Sequence, residues 1–171
     1  MSFVSQALRD LITAHQATKL LPHTLKNSMH GRCLCEQIHF EVAGTDFKLY
    51  QCHCSLCRRQ SGSSSNAATI AANRNFRWVR GEELIASWVK PSGFRSDFCS
   101  VCGSPVPNPL RGLPYVWVPA GLLDGGGQLE IIAHLHMASK APWDSSLPQG
   151  SCHEALPDWP GFIAALQPTN A

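Results

Sequence analysis

Seven of the eight cysteines in this sequence fall into three tight groups. The groups are Cys33-Leu-Cys35, Cys52-His-Cys54-Ser-Leu-Cys57 and Cys99-Ser-Val-Cys102. A short turn can present two or three sulfur atoms to one ion, and Zn2+ takes four such ligands in a tetrahedron. Two pairs and a triplet therefore predict one closed four-cysteine site and one three-cysteine site with a vacant position. A closed site holds a fold together, whereas a vacant position admits a ligand.

The two cysteine pairs are predicted to form the closed site. Cys33 and Cys35 lie far from Cys99 and Cys102 in the sequence, so a shared ion would join the start of the domain to its middle. Gly103 suits a backbone that turns tightly around a sulfur ligand. Buried thiols without metal are the alternative, which the paired spacing disfavours.

The triplet Cys52, Cys54 and Cys57 is predicted to form the open site. Its fourth position can be filled by water, by a thiol ligand, or by a distant side chain, for which His53 and Cys152 are the rivals. His53 is expected to face away, because neighbouring residues of an extended chain point to opposite sides. A second closed site remains the alternative.

Three thiolates would leave zinc with a net charge of −1, which makes it a poor generator of hydroxide. A thiol that coordinates zinc loses its proton, and the thiolate is the nucleophilic form of sulfur. The open site therefore favours the handling of a thiol substrate over hydrolysis.

Arg58, Arg59 and Lys140 are candidate contacts for an anionic group of that substrate, with a solvated surface role as the alternative. Ordinary packing is expected for His134, His136, Trp88, Trp117 and Trp143.

Short apolar segments separated by turns rich in Gly, Pro and Asn predict a mainly β domain over residues 29–171. Small antiparallel sheets pinned by metal are the expected architecture. One helical turn is expected after Cys57, and a short helical piece is expected near Phe162–Leu166. The expected strands cover Ala67–Ala72, Phe76–Val79, Leu84–Val89, Tyr115–Val118 and Leu129–His136.

Residues 1–28 are predicted to be a helical N-terminal extension. Apolar residues recur at helical spacing over residues 2–20, and Pro22 ends the pattern. The apolar stripe can dock on its own domain or form a homo-oligomer contact.

Composition excludes several functional classes. The chain has 171 residues, 44% of them hydrophobic, so it can form a core. A net charge of only +2 and the lack of a dense basic stripe argue against nucleic-acid binding. The apolar runs are too short to span a membrane. No secretory signal is recognisable, so we expect a cytoplasmic protein with free thiols.

Four motifs occur in a characteristic order: Gly31-Arg-Cys-Leu-Cys-Glu36, Cys52-His-Cys-Ser-Leu-Cys-Arg-Arg59, Phe98-Cys-Ser-Val-Cys-Gly-Ser104, and His134 to Trp143. Together they resemble the glutathione-dependent formaldehyde-activating family, which also includes centromere protein V. Glu36 departs from that pattern, because the family has glycine after its first Cys-x-Cys.

The resemblance implies the β-tent (Mss-four-like) fold, a structural zinc on the two cysteine pairs and a second zinc on the triplet. It also implies that glutathione sulfur enters the open position. The expected activity is that of a carbon–sulfur lyase or synthase that acts on a glutathione adduct such as S-hydroxymethylglutathione. The alternative is a non-catalytic zinc protein that binds glutathione or a protein partner.

Overall fold

The structure is a computed structural model that describes residue 25, residues 27–125 and residues 127–167. The helix predicted over residues 2–20, and the oligomer contact assigned to it, lie outside these ranges. Within them, no helix is both long enough and apolar enough to cross a membrane.

The described residues are mainly β-structure, as the sequence pattern predicts. Two small sheets are fully antiparallel. One has the order β1-β2-β5, with bounds Ser28–Arg32, His39–Ala43 and Phe76–Arg80. The other has the order β6-β7-β8, with bounds Ile85–Val89, Arg95–Cys99 and Pro105–Val106.

The largest sheet has six strands in the order β12-β11-β3-β4-β10-β9. Strand β11 runs parallel to both β3 and β12, whereas the other pairs are antiparallel. The prediction of antiparallel sheets therefore holds for the two small sheets only, since a long crossover brings β11 beside β3. The bounds are β3 Phe47–Cys52, β4 Asn66–Ala72, β9 Asn108–Pro109, β10 Tyr115–Pro119, β11 Leu129–Leu135 and β12 Ser151–Cys152.

Strand β11 ends one residue earlier than predicted. His136 has a φ of 57°, in the left-handed region, and begins the short 3-10 turn Met137–Ser139. His134 and His136, both placed on the strand predicted over Leu129–His136, therefore do not share a strand face. His134 is buried in the strand, whereas His136 lies beyond its end.

The helical turn expected after Cys57 belongs to a helix that begins before Cys57, and the short helix expected near Phe162–Leu166 is present. Helix α1 spans Ser55–Ser61 directly after Cys54, and helix α2 spans Trp159–Leu166. Asp158 caps α2, because its Oδ2 accepts a hydrogen bond of 2.9 Å from the Gly161 N–H. The helix buries Phe162, Ile163 and Leu166 against the six-stranded sheet.

Three apolar clusters form the core. The first lies between α2 and the six-stranded sheet, and the second between that sheet and β1-β2-β5. The third is small and consists of Cys33, Ile38, Cys99 and Val106. Four buried residues give little hydrophobic stabilisation, so this corner of the domain depends on another source of stability.

Two of the three tryptophans for which ordinary packing was expected are exposed instead. Trp88 is 51% exposed and Trp143 is 69% exposed, whereas Trp117 is buried. Trp88 lies on β6 and Trp143 in the segment that joins β11 to β12. Apolar residue type alone does not identify these as surface positions.

Candidate metal centre

The first cysteine cluster brings together both predicted pairs. Cys33 and Cys35 follow β1, Cys99 ends β7, and Cys102 lies in the turn that follows. The Cys33 and Cys35 Sγ atoms are 3.5 Å apart, and the Cys35 and Cys99 Sγ atoms are 3.8 Å apart. A tetrahedron with Zn–S bonds of about 2.3 Å has edges of about 3.8 Å. None of the four cysteines forms a disulfide bond, and their sulfur separations fit a shared ion.

Two tight turns position these sulfur atoms. The Cys33 N–H donates to the Ile38 carbonyl (3.1 Å), and the Ile38 N–H donates to the Cys33 Sγ (3.3 Å). Between them Glu36 has a φ of 60°, the conformation that glycine favours. In the second turn Gly103 has a φ of 76°, and its N–H donates to the Cys99 carbonyl (2.8 Å).

The second cluster consists of Cys52, Cys54 and Cys57, whose sulfur atoms all lie within 4.8 Å of one another. Cys52 is the last residue of β3, Cys54 is the N-cap of α1, and Cys57 lies in the first turn of that helix. The Cys57 N–H donates to the Cys54 Sγ at 3.5 Å. The turn from strand to helix therefore gathers three sulfur atoms at one end of the largest sheet.

Neighbouring thiols shift each other's acidity in this cluster. Hydrogen bonds from Cys52 and Cys57 hold the pKa of Cys54 well below its ordinary value. The same kind of contact, with Cys52 and Cys54, raises the pKa of Cys57. The three thiols are thus close enough for the ionisation of one to disfavour that of another.

Neither rival for the fourth position reaches the second cluster. His53 is buried and points elsewhere, and Cys152 is exposed on β12, opposite His134 of β11. In the ranges that the structure covers, no further His, Cys, Asp or Glu joins the three sulfur atoms. The described protein thus offers three ligands there and four at the first cluster.

His53 belongs to a buried polar chain that the sequence interpretation did not assemble. Its Nε2 atom lies 3.0 Å from Nδ1 of His134, and its Nδ1 atom lies 3.5 Å from Oδ2 of Asp144. Burial, followed by the charge of His134, lowers the pKa of His53. Burial also lowers the pKa of His134. The sequence signal for this position was the alternation of side-chain direction along the extended chain, which places His53 on the face opposite Cys52 and Cys54.

The second cluster opens onto a cavity of about 1040 Å3. The three cysteines lie in its wall beside aromatic and aliphatic side chains of the largest sheet and of α2. The volume is typical of small-molecule sites. The apolar part of the wall includes Tyr50, Leu56, Val89, Phe94, Leu110, Trp117, Leu156 and Trp159.

The cations that line this cavity differ from the sequence-based candidates. Arg58, Arg59 and Lys140 are not among its wall residues, which include Lys90, Arg95 and Arg111 instead. Arg58 and Arg59 lie on α1. Lys140 donates to the Ser146 carbonyl at 2.8 Å. Lys90, Arg95 and Arg111 are distant in sequence from the cysteine motif, so spacing gave no signal for them.

The donor sets suit zinc at both clusters. Each set consists only of thiols, and softer metals such as zinc prefer sulfur ligands. The sulfur separations match a tetrahedral shell at the first cluster, and the three sulfur atoms of the second lie within 4.8 Å of one another. Cys33, Cys35, Cys99 and Cys102 could therefore hold one ion, and Cys52, Cys54 and Cys57 another.

Comparison with known proteins gives the chain a family. A family model described as glutathione-dependent formaldehyde-activating enzyme matches residues 28–139, which is more than half of the chain and contains both clusters. A crystal structure of a Rhodobacter sphaeroides protein aligns with a TM-score of 0.49 and 24% sequence identity, covering 72% of this chain and 99% of that one. No curated protein matches the sequence. The chain thus belongs to the glutathione-dependent formaldehyde-activating enzyme family.

Proposed function

We propose that this protein is a zinc-dependent carbon–sulfur lyase or synthase that forms and cleaves the adduct of formaldehyde with glutathione or a related thiol. The observation that carries the proposal is the open set of Cys52, Cys54 and Cys57 in the wall of a ligand-sized cavity. Family membership supports the same chemistry. Two zinc ions per chain, a β-tent arrangement of the sheets and a cytoplasmic location belong to this proposal.

The two clusters have different roles in it. Cys33, Cys35, Cys99 and Cys102 would hold the structural ion, and the triplet would hold the ion beside which the thiol binds. Bound zinc supplies positive charge that favours the thiolate form of a nearby thiol at neutral pH. The apolar wall, including Trp117 and Tyr50, excludes water from one side of the reacting groups.

The reaction is a balanced addition. The thiol loses its proton, its sulfur forms a bond to the formaldehyde carbon, and the π electrons of the carbonyl group move to the oxygen. That oxygen takes up one proton, which gives the S-hydroxymethyl product. The reverse sequence breaks the carbon–sulfur bond and returns both reactants. The cavity contributes by holding the sulfur and the aldehyde side by side, which replaces an encounter in solution.

The test compares wild type with Cys54→Ser. Zinc content by mass spectrometry or atomic emission, folding by circular dichroism, and the exchange rate between glutathione and its formaldehyde adduct by NMR are measured on both. We expect wild type to carry two zinc ions and to accelerate exchange. The variant should stay folded, carry one zinc ion and lose the acceleration.

Two other results would contradict catalysis. Glutathione binding with an unchanged exchange rate would select the non-catalytic thiol-binding protein. Two zinc ions without any thiol binding would indicate a closed second site and a function through a protein partner.

A further inference from the structure

The cavity beside the second cluster has an uneven charge. Its wall contains Lys90, Arg95 and Arg111, and no Asp or Glu of the described chain lines it. Cations that converge in a cavity with no opposing carboxylate favour an anionic ligand. The position of each cation decides which of them is free to receive such a ligand.

Arg95 is already neutralised. Its guanidinium donates to both carboxylate oxygens of Asp97, each at 2.8 Å, and to the Ser87 hydroxyl at 3.1 Å. Asp97 is 3% exposed, so the pair is shielded on the acidic side. A bidentate pair of this kind fixes the arginine and balances its charge. Arg95 therefore forms part of the cavity wall, but its charge is balanced by Asp97.

Lys90 and Arg111 have no such partner. Neither side chain has a carboxylate within 4.0 Å among the described residues. Lys90 opens the turn between β6 and β7, which is fixed by a 2.8 Å hydrogen bond from its own N–H to the Phe94 carbonyl. Arg111 lies in the loop between β9 and β10. Both cations are thus presented from turns with defined backbones.

The two turns touch each other through Arg111. Its side chain lies over Gly93. A Cβ atom added at Gly93 would collide with the Arg111 Nη1 atom and would make a tight contact with its Cδ atom. The bare backbone at Gly93 therefore lets the guanidinium cross from one turn to the other. This contact places Lys90 and Arg111 on the same rim of the cavity, with the three cysteines also in its wall.

We infer that Lys90 and Arg111 select a thiol that carries carboxylates, receiving those groups while its sulfur reaches Cys52, Cys54 and Cys57. The inference rests on the proposed function only for the place where the sulfur binds. It fits a peptide thiol with carboxylates at its ends, such as glutathione, and disfavours small neutral thiols. The sequence-based hypothesis gave this role to Arg58, Arg59 and Lys140, and the experiment separates the two assignments.

Thiol binding is measured on the zinc-loaded full chain by calorimetry, and on cobalt-substituted protein by the change in thiolate-to-metal absorption. The probes are glutathione and the uncharged thiol 2-mercaptoethanol. The variants are Lys90→Gln, Arg111→Gln and their combination. Arg74→Gln is the matched control, because Arg74 is an exposed cation outside the cavity.

We expect the double variant to bind glutathione at least about tenfold more weakly, which is the effect of losing roughly 1.4 kcal/mol of charge-assisted bonding. Its binding of 2-mercaptoethanol should match that of wild type, and Arg74→Gln should change neither. Added salt should weaken glutathione binding in wild type more than in the double variant.

Several results would overturn the inference. They are unchanged glutathione affinity in the double variant, an equal loss for both thiols, a larger loss in Arg59→Gln or Lys140→Gln, and binding of neither thiol by wild type. Failure of the proposed function has a different signature. If wild type binds glutathione through Lys90 and Arg111 but does not accelerate adduct exchange, the catalytic proposal falls and the inference stands.

Discussion

Glu36 occupies a backbone conformation that residues other than glycine rarely adopt. Its φ of 60° lies in the turn that carries Cys33 and Cys35. The left-handed conformation costs an L-residue about 1–2 kcal/mol. The Glu36 carboxylate lies 3.2 Å from the Arg32 guanidinium, but an exposed pair of this kind returns at most about 1 kcal/mol.

We therefore expect Glu36→Gly to stabilise the zinc-loaded protein by about 0.5–1 kcal/mol, after the greater flexibility of glycine in the unfolded chain is subtracted. The measurement is urea denaturation followed by circular dichroism. Gly103→Ala is the matched reverse change, since Gly103 has a φ of 76° and open space around an added Cβ. It should cost about 1 kcal/mol, and a stabilised Gly103→Ala would refute the backbone explanation.

At the scale of elements, the contact between His53 and His134 joins the turn from β3 to α1 with strand β11. Both rings are buried, and Nε2 of His53 lies 3.0 Å from Nδ1 of His134. This contact holds the segment that carries Cys52 and Cys54 on the side opposite the sulfur atoms. Asp144 and Lys140, from the segment after β11, act on the same rings with opposite charges. The register of the parallel pair β3–β11 thereby sets the orientation of the second cluster.

This buried pair predicts a pH dependence of stability. Burial lowers the pKa of His134 from its ordinary value of 6.5, so the unfolded chain takes up a proton at a higher pH than the folded one. The His134 contribution to the free energy of unfolding is thus complete above pH 6.5 and decreases as the pH falls through and below that value.

Denaturation of wild type and His134→Gln from about pH 8 to about pH 5 checks this, because the variant lacks the titrating ring. We expect the wild-type stability to fall more steeply than that of the variant. Parallel curves would contradict the assignment. Thiolate protonation affects both proteins alike, so the difference between the curves reports on the His53–His134 pair.

At the scale of the whole molecule, local spacing predicted the two cysteine clusters, but it could not predict the cavity. Cys52, Cys54 and Cys57 meet because one strand-to-helix turn carries them all. Lys90 and Arg111 line one cavity because Arg111 packs over Gly93, in the turn that follows Lys90, and this contact has no local sequence signal. The parallel pairing of β11 with β3 escaped prediction for the same reason, since it joins segments far apart in the chain.

The two cysteine clusters are expected to differ in what the loss of a bound metal ion does to the fold. The first cluster joins the end of β1 to the end of β7, beside the smallest apolar cluster of the domain. Structural zinc in small sites contributes roughly 10–16 kcal/mol of apparent binding free energy, which is comparable with the whole stability of a domain. The second cluster adjoins the core between α2 and the six-stranded sheet, which contains Cys52 together with nine other buried residues.

Cys99→Ser should therefore unfold the domain or lower its melting temperature severely, whereas Cys54→Ser should keep the fold and lose one zinc ion. Circular dichroism and zinc content of both variants provide the measurement, and Cys152→Ser is the control, because Cys152 is exposed and outside both clusters. Equal destabilisation by Cys99→Ser and Cys54→Ser would mean that both ions are structural. A stable Cys99→Ser protein would mean that packing alone holds β1 and β7 together.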